Sequence, residues 1–295
     1  MARLQWSMER LAQKAADVRR DILTLLANAG TGHSGGSLSC TDFGTALFFH
    51  YLNVKPWQPS WPDRDYWHFS IGHVSPVIYS LMAERGYFPP ADLLQFRQFE
   101  GHLQGHPSAH DTPGIEVSAG SLGQGLSVCV GAALASKMHN HPRRIWCIMG
   151  DGEQQEGSIW EAVMSASHFK LGNLTGIIDV NRKQIDGDTE EILRIEPLAD
   201  KYRAFGWDVI DIDGHDMPAI LEALQLSGEN GERPTVILAR TVMGKGVSFM
   251  EDDHRWHGRP PTREQAEEAL RGLDSSYSVW LDRLGRATKP LRPQA

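Results

Sequence analysis

Only three cysteines occur in 295 residues. Cys40, Cys129 and Cys147 sit in apolar surroundings, without the spacing of a metal site or a disulfide framework. The expectation is a reduced, cytoplasmic compartment in which these thiols serve packing. Positive charge is scarce too: 29 Lys and Arg stand against 37 Asp and Glu, giving a formal net charge of -8 and a pI of about 5.9. That balance argues against a nucleic-acid surface. No apolar run approaches the ~20 residues of a membrane span. The amino-terminal stretch MARLQWSMERLAQKAADVRRD is too charged for a secretory signal. There is no internal repeat and no low-complexity segment. Neither a Walker A sequence nor a G-x-G-x-x-G fingerprint is present. What remains, 41% hydrophobic and 22% charged residues, is the composition of an ordinary globular enzyme.

The most informative stretch is Gly150–Gly187. An apolar run, Ile145–Met149, stops at Gly150-Asp151-Gly152. Ile159, Ala162, Val163, Ala166 and Phe169 then recur at helical spacing. A second apolar run, Leu174–Val180, ends at Asn181. This reads as strand, helix, strand, and a right-handed crossover puts both strand ends on one edge of a parallel sheet. Asp151 and Asn181 would face each other there as two hard oxygen ligands, suited to Mg²⁺ and a phosphate-bearing ligand. Gly152, lacking a side chain, lets its N–H approach a phosphate. Asp and Gly are also favoured in turns for local reasons, so an ordinary βαβ turn stays open.

The rest of the chain reads as further α/β alternation. Helices are expected over Leu4–Asn28, closed by Gly30, then from Ser39 or Thr41 to Tyr51, Pro76–Arg85, Pro90–Glu100 and Leu126–Lys137. After the central unit come a helix at Leu198–Phe205, a strand at Trp207–Ile212, a helix at Met217–Leu226 and a strand at Thr235–Arg240. A charged surface helix follows at Thr262–Leu270. The pattern predicts a parallel sheet with helices on both faces. Residues 1–285 are expected to form one domain and 286–295 a loosely ordered tail. Histidines recur beside glycines at element boundaries: His33, His73, His106 and His257. His102, His106 and His110 imitate a helical metal site, but Gly101, Gly105 and Pro107 argue against a helix there.

Taken together, Gly32-His33, Gly72-His73, Gly105-His106-Pro107, Gly114–Gly125 (GIEVSAGSLGQG), Gly150–Glu156 with Asn181, Gly244–Gly246 and Trp256-His257-Gly258 resemble the N-terminal half of transketolase, a thiamine diphosphate enzyme. The resemblance runs from about residue 10 to residue 262 and is closest to the separate N-terminal subunit of a split transketolase. It implies the thiamine diphosphate-binding fold. It also implies metal ligation by Asp151, Asn181 and the Lys183 carbonyl, with Mg²⁺ or another divalent cation such as Ca²⁺. His73, Gly152 and His257 would hydrogen-bond the diphosphate, and Gly120, Leu122 and Ile185 would contact the cofactor rings. His33, His106 and His257 would line the channel and assist proton transfers. Glu156 and Glu161 match acids near the subunit interface that link paired sites, the first on the catalytic and the second on the cofactor side. The family often has proline where this chain has Ser34, and usually an aliphatic residue where it has Lys183.

The family's activating glutamate belongs to a pyrimidine-binding domain, and no glutamate here matches its motif. The resemblance therefore implies a partner subunit with the pyrimidine-binding and C-terminal domains, in an α2β2 assembly acting on sugar phosphates. Four loop tryptophans, Trp57, Trp61, Trp67 and Trp256, are compatible with a wide interface or with ordinary packing. Two alternatives stand beside a two-carbon ketol transferase: a related thiamine enzyme subunit for an unusual ketose, and a non-catalytic cofactor-binding homologue.

Overall fold

The structure is a computed structural model and describes residues 4–228 and 231–291. The chain opens with α1 (Met8–Ala29), begun by the Ser7 cap and ended by Gly30 in a left-handed conformation, φ 66°. Next come α2 (Gly35–Ser39), α3 (Thr41–Ala46), β1 (Tyr66–Phe69), α4 (Ser75–Arg85) and α5 (Gly125–Met138). The central unit is β2 (Ile145–Gly150), α6 (Gly157–His168) and β3 (Leu174–Val180). A short hairpin of β4 (Lys183–Gln184) and β5 (Gly187–Asp188) leads to α7 (Thr189–Ile192) and α8 (Leu198–Ala204). Then follow β6 (Asp208–Asp213), α9 (Met217–Leu226), β7 (Thr235–Arg240), α10 (Arg263–Gly272) and α11 (Tyr277–Arg286).

Five strands form one parallel sheet in the order β1-β2-β3-β7-β6. Side chains alternate between its faces, as a two-residue period requires. Trp146, Ile148, Ile177, Ile237 and Ala239 join a core with α1, α3, α4, α9, α10 and α11. Cys147, Met149, Ile178, Val180, Val236 and Leu238 join a second core with α5, α6 and α8. Helices thus cover both faces, as the alternation predicted. The cysteines are free and buried, and no described helix is long and apolar enough to cross a membrane.

Several local expectations change. Gly35 and Gly36, expected in a loop, begin α2 and are buried. Helix Pro90–Glu100 shrinks to a 3-10 turn, Pro90–Gln95, because Phe96 turns extended into the core and Arg97 and Glu100 take positive φ. The charged helix α10 buries a seam of Ala266, Ala269 and Leu270. Helix α11 has no counterpart in the sequence expectations. Its Trp280 and Leu284, four residues apart, sit in the core, and Trp280 Nε1 donates to Asp21 Oδ1 at 2.8 Å. Beyond α11, the Leu291 carbonyl lies directly against Gly86; the last four residues of the expected tail are outside the described residues. Trp67 and Trp256 are buried, so of the four tryptophans only Trp57 is exposed and Trp61 half-buried.

Candidate functional site

Parallel strands present their carboxyl ends on one edge, and the loops that follow them converge there. Ser70–His73 follows β1, Asp151 follows β2, Asn181 follows β3, and Thr241–Gly246 follows β7. Between these loops lies a cleft of about 370 Å³. His33, His73, His257 and the Gly120–Leu122 loop form one part of its lining. Asp151, Gly152, Glu156, Asn181, Lys183 and Ile185 form another.

At the strand ends, Asp151 is gripped by backbone. Its Oδ1 accepts from Gly152 N at 2.7 Å and its Oδ2 from Arg182 N at 2.5 Å. Burial and the nearby Asp179 carboxylate push its pKa up to about 8, against the pull of those N–H groups. Asn181 donates to Asp179 Oδ2 at 2.7 Å and accepts from Lys183 N at 3.0 Å. Asp179 also accepts from Ser39 Oγ at 2.6 Å and from the Thr241 hydroxyl, so this buried acid ties β3 to α2 and to the end of β7. The Lys183 ammonium points away from these groups, to Asp188 and Asp252. Gln184 and Gln155 exchange reciprocal amide hydrogen bonds of 2.9 and 2.8 Å.

Four histidines gather at the other end. The His33 ring centroid lies 5.2 Å from His73, 5.8 Å from His257 and 6.4 Å from His106. His106 is exposed and stands beside Gly120, outside the cleft lining itself. Burial, then the other imidazoles, lowers His33 to about 4 and His73 to about 3, with Arg97 adding to the effect at His33. Burial also lowers His257, and burial with Arg97 lowers His106. All four are therefore neutral at pH 7, each able to accept a proton at one nitrogen and donate from the other. His102 and His110 stand apart from this group, bonded to Asp92 and Asp111.

Glu161 does not join the cleft. The inward face of α6 is Ile159, Ala162, Val163 and Ala166, which leaves residue 161 turned to solvent. Glu156 lines the cleft from an exposed position. Three groups missed in the sequence prove central to the geometry. Buried Glu153 accepts from the Ser70 hydroxyl, from Gly123 N at 2.7 Å and from Gly150 N at 3.3 Å, joining three loops. Gly123 is itself left-handed, φ 82°. His215 donates from Nδ1 to Asp42 at 2.7 Å and accepts at Nε2 from Val242 N at 2.9 Å, which fixes the loop after β7. Asp42 is also paired bidentately with Arg19, at 2.9 and 2.6 Å. Ser34 Oγ reaches the carbonyls of Arg259 at 2.6 Å and Trp256 at 3.1 Å, tying the His33 loop to the His257 loop. Glu153 lies inside the Gly150–Glu156 motif with nothing to single it out, Ser34 stands out only as a departure from the family, and Asp42 and His215 act through partners too distant in sequence to be read.

The donor set fits a diphosphate-bearing cofactor. His33 Nδ1 and His257 Nδ1 are buried without a hydrogen-bond partner, and both rings line the cleft. Among the described residues no three His, Cys, Asp or Glu side chains converge as a self-sufficient metal site. A cation at Asp151 and Asn181 would thus need oxygens from the ligand and water, the habit of Mg²⁺.

Comparison with known proteins gives the same picture. The family model described as the transketolase thiamine diphosphate binding domain matches residues 12–277. The chain is 40% identical over 264 residues to an apulose-4-phosphate transketolase subunit from Phocaeicola vulgatus, covering 90% of this chain and 94% of that one. It is 41% identical over 264 residues to a 6-deoxy-6-sulfo-D-fructose transketolase subunit of a Clostridium species, covering 90% and 96%. The transketolase structure from Campylobacter jejuni superposes with a TM-score of 0.87 at 31% identity, over 96% of this chain and 46% of that chain. The chain thus spans about half the length of that solved enzyme. With a family model matched over nearly its whole length and relatives matched almost end to end, this chain belongs to the transketolase family, as its thiamine diphosphate-binding domain.

Proposed function

We propose that this chain is the diphosphate-binding subunit of a two-chain transketolase, moving a two-carbon ketol unit from a ketose to an aldose. The observation that carries the reading is the pairing, in one cleft, of a buried strand-end acid and amide with neutral, partly unbonded imidazoles. Asp151, Asn181 and the Lys183 carbonyl would hold Mg²⁺. Gly152 N–H, His73 and His257 would hold the diphosphate, and Gly120, Leu122 and Ile185 would contact the rings. Bound there, thiamine diphosphate supplies a thiazolium that stabilises the carbanion formed when a ketose C–C bond breaks. The protein's own part is positional and protonic: His33, His106 and His257 would bind sugar hydroxyls and move their protons near neutral pH.

Similar chains named as subunits support a separate partner, and that partner would carry the remaining half of the site. Their named substrates, apulose 4-phosphate and 6-deoxy-6-sulfo-D-fructose, favour a ketose ending in an anionic group over any particular pentose phosphate. The test mixes the purified chain with Mg²⁺, thiamine diphosphate and a candidate partner subunit bearing the pyrimidine-binding and C-terminal domains. Ketol transfer is then assayed from ketoses ending in phosphate or sulfonate. Transfer by the pair, absent from either chain alone, is expected; no transfer from any such ketose would sink the proposal. Asp151→Ala should abolish Mg²⁺-dependent cofactor retention, measured by calorimetry; retained binding would refute the metal assignment.

A further inference from the structure

We propose that the Lys183 ammonium is a positioning group that clasps the β4–β5 hairpin against the segment around Asp252, holding the hairpin closed over the diphosphate end of the cleft. This deepens the proposed function and rests on it. The hairpin pairs only Lys183 with Asp188 and Gln184 with Gly187. A ladder that short does not hold itself together, so side-chain ties must do so. Yet it carries Ile185 and Asp186, which line the cleft, and its Lys183 N–H orients Asn181.

Beside the backbone bond from Thr189 N to Arg182 O at 3.0 Å, two side-chain ties among the described residues flank the hairpin, of opposite character. On one flank the neutral Gln184–Gln155 amide pair joins the hairpin to the turn after Asp151. On the other flank Lys183 Nζ lies 2.6 Å from Asp188 Oδ1, within the hairpin, and 3.1 Å from Asp252 Oδ1, outside it. The lysine side chain is 10% exposed while the two acids are 46% and 62% exposed, so the ammonium is inserted between them. Asp252 is a firm anchor. Its N–H donates to Met243 O at 2.9 Å, and the adjoining Gly244 N–H donates to Gly35 O at 3.0 Å. The clasp therefore links the hairpin to α2, beside the His33 loop. Two acids already occupy the ammonium, so its charge serves this joint and not a diphosphate. A charge-assisted tie of this kind is salt-sensitive, whereas the amide pair is not.

Lys183→Met tests this, because it keeps the backbone carbonyl and an unbranched apolar side chain of nearly the same reach and removes the ammonium with its charge and donors. Hydrogen exchange of the peptide spanning residues 181–193 is followed in the full chain without cofactor, between about 0.05 and about 1 M NaCl. Release of thiamine diphosphate after Mg²⁺ chelation is measured in parallel. In the wild type, salt should speed both. In Lys183→Met both should be about threefold to tenfold faster at low salt and insensitive to salt. Asp252→Asn should act in the same direction without adding to Lys183→Met, and Lys183→Arg should restore protection. Unchanged exchange in Lys183→Met, or full salt sensitivity surviving in it, overturns the clasp even where cofactor binds. Faster exchange in a chain that takes up no cofactor upholds the clasp and overturns the cofactor reading.

Discussion

At His33, burial comes first and His257, Arg97 and His106 add to it, holding the ring near a pKa of about 4. An unfolded histidine titrates near about 6.5. Between these values the unfolded chain binds the extra proton, so this group's contribution to stability is complete above pH ~6.5. It is lost as pH falls toward about 4. The urea midpoint of the wild type relative to His33→Asn should therefore be flat above pH ~6.5 and decline steadily below it; a flat difference throughout would show the ring to be freely solvated. Residues of this kind were legible because glycine punctuates them: His33, His73, His106 and His257 each sit beside a glycine at an element boundary. Asp179 was not, because an acid inside the apolar run Leu174–Val180 reads as part of a strand. Its partners Ser39 and Thr241 lie 140 and 62 residues away.

Among elements, α5 shows how closely the loops are stacked. A Cβ on Gly125 would fall 2.5 Å from Ser70 Oγ and 2.6 Å from His68 Cδ2. Ser70 in turn donates to Glu153 and accepts from Gly125 N at 3.1 Å. Gly125→Ala should thus cost about 1–3 kcal/mol in chemical denaturation, through overpacking that separates the glycine loop from β1. A substitution at Gly131, which faces open space on the same helix, should cost nothing of that kind. Strand and helix identities were readable here because two short apolar runs, Ile145–Met149 and Leu174–Val180, flank a stretch of apolar residues at helical spacing. Phe96 and α11 escaped because their environment is set by tertiary packing. Nothing near Trp280 in sequence announces that its indole N–H meets Asp21, 259 residues away.

For the whole molecule, that contact belongs to a buried polar cluster joining the last helix to the first. Arg283 lies 2.9 Å from Glu84 Oε1 and 3.4 Å from Asp21 Oδ1, and Lys14 also pairs with Glu84. Burial and Glu84 raise the pKa of Asp21 well above the usual carboxylate range. Arg283→Met leaves the two buried acids with Lys14 as the remaining cation of the cluster and the Trp280 N–H on Asp21, at a cost of about 1–3 kcal/mol after allowance for the partial exposure of Arg283. Thermal unfolding should report that loss, while cofactor affinity stays unchanged, because the cluster stands outside the cleft. The expectation of a partner subunit came only through resemblance, since nothing in composition points to one. The amide ring of Gln155 and Gln184 has a genetic consequence. Within the pair each side chain gives one hydrogen bond and receives one, and Gln155 Nε2 also donates to the Leu193 carbonyl at 2.8 Å, so a change at either position alone leaves the partner amide's donor and acceptor unmatched or faces it with a like group. Selection on either position singly should return glutamine, and only a library that varies both together should recover other, matched pairs.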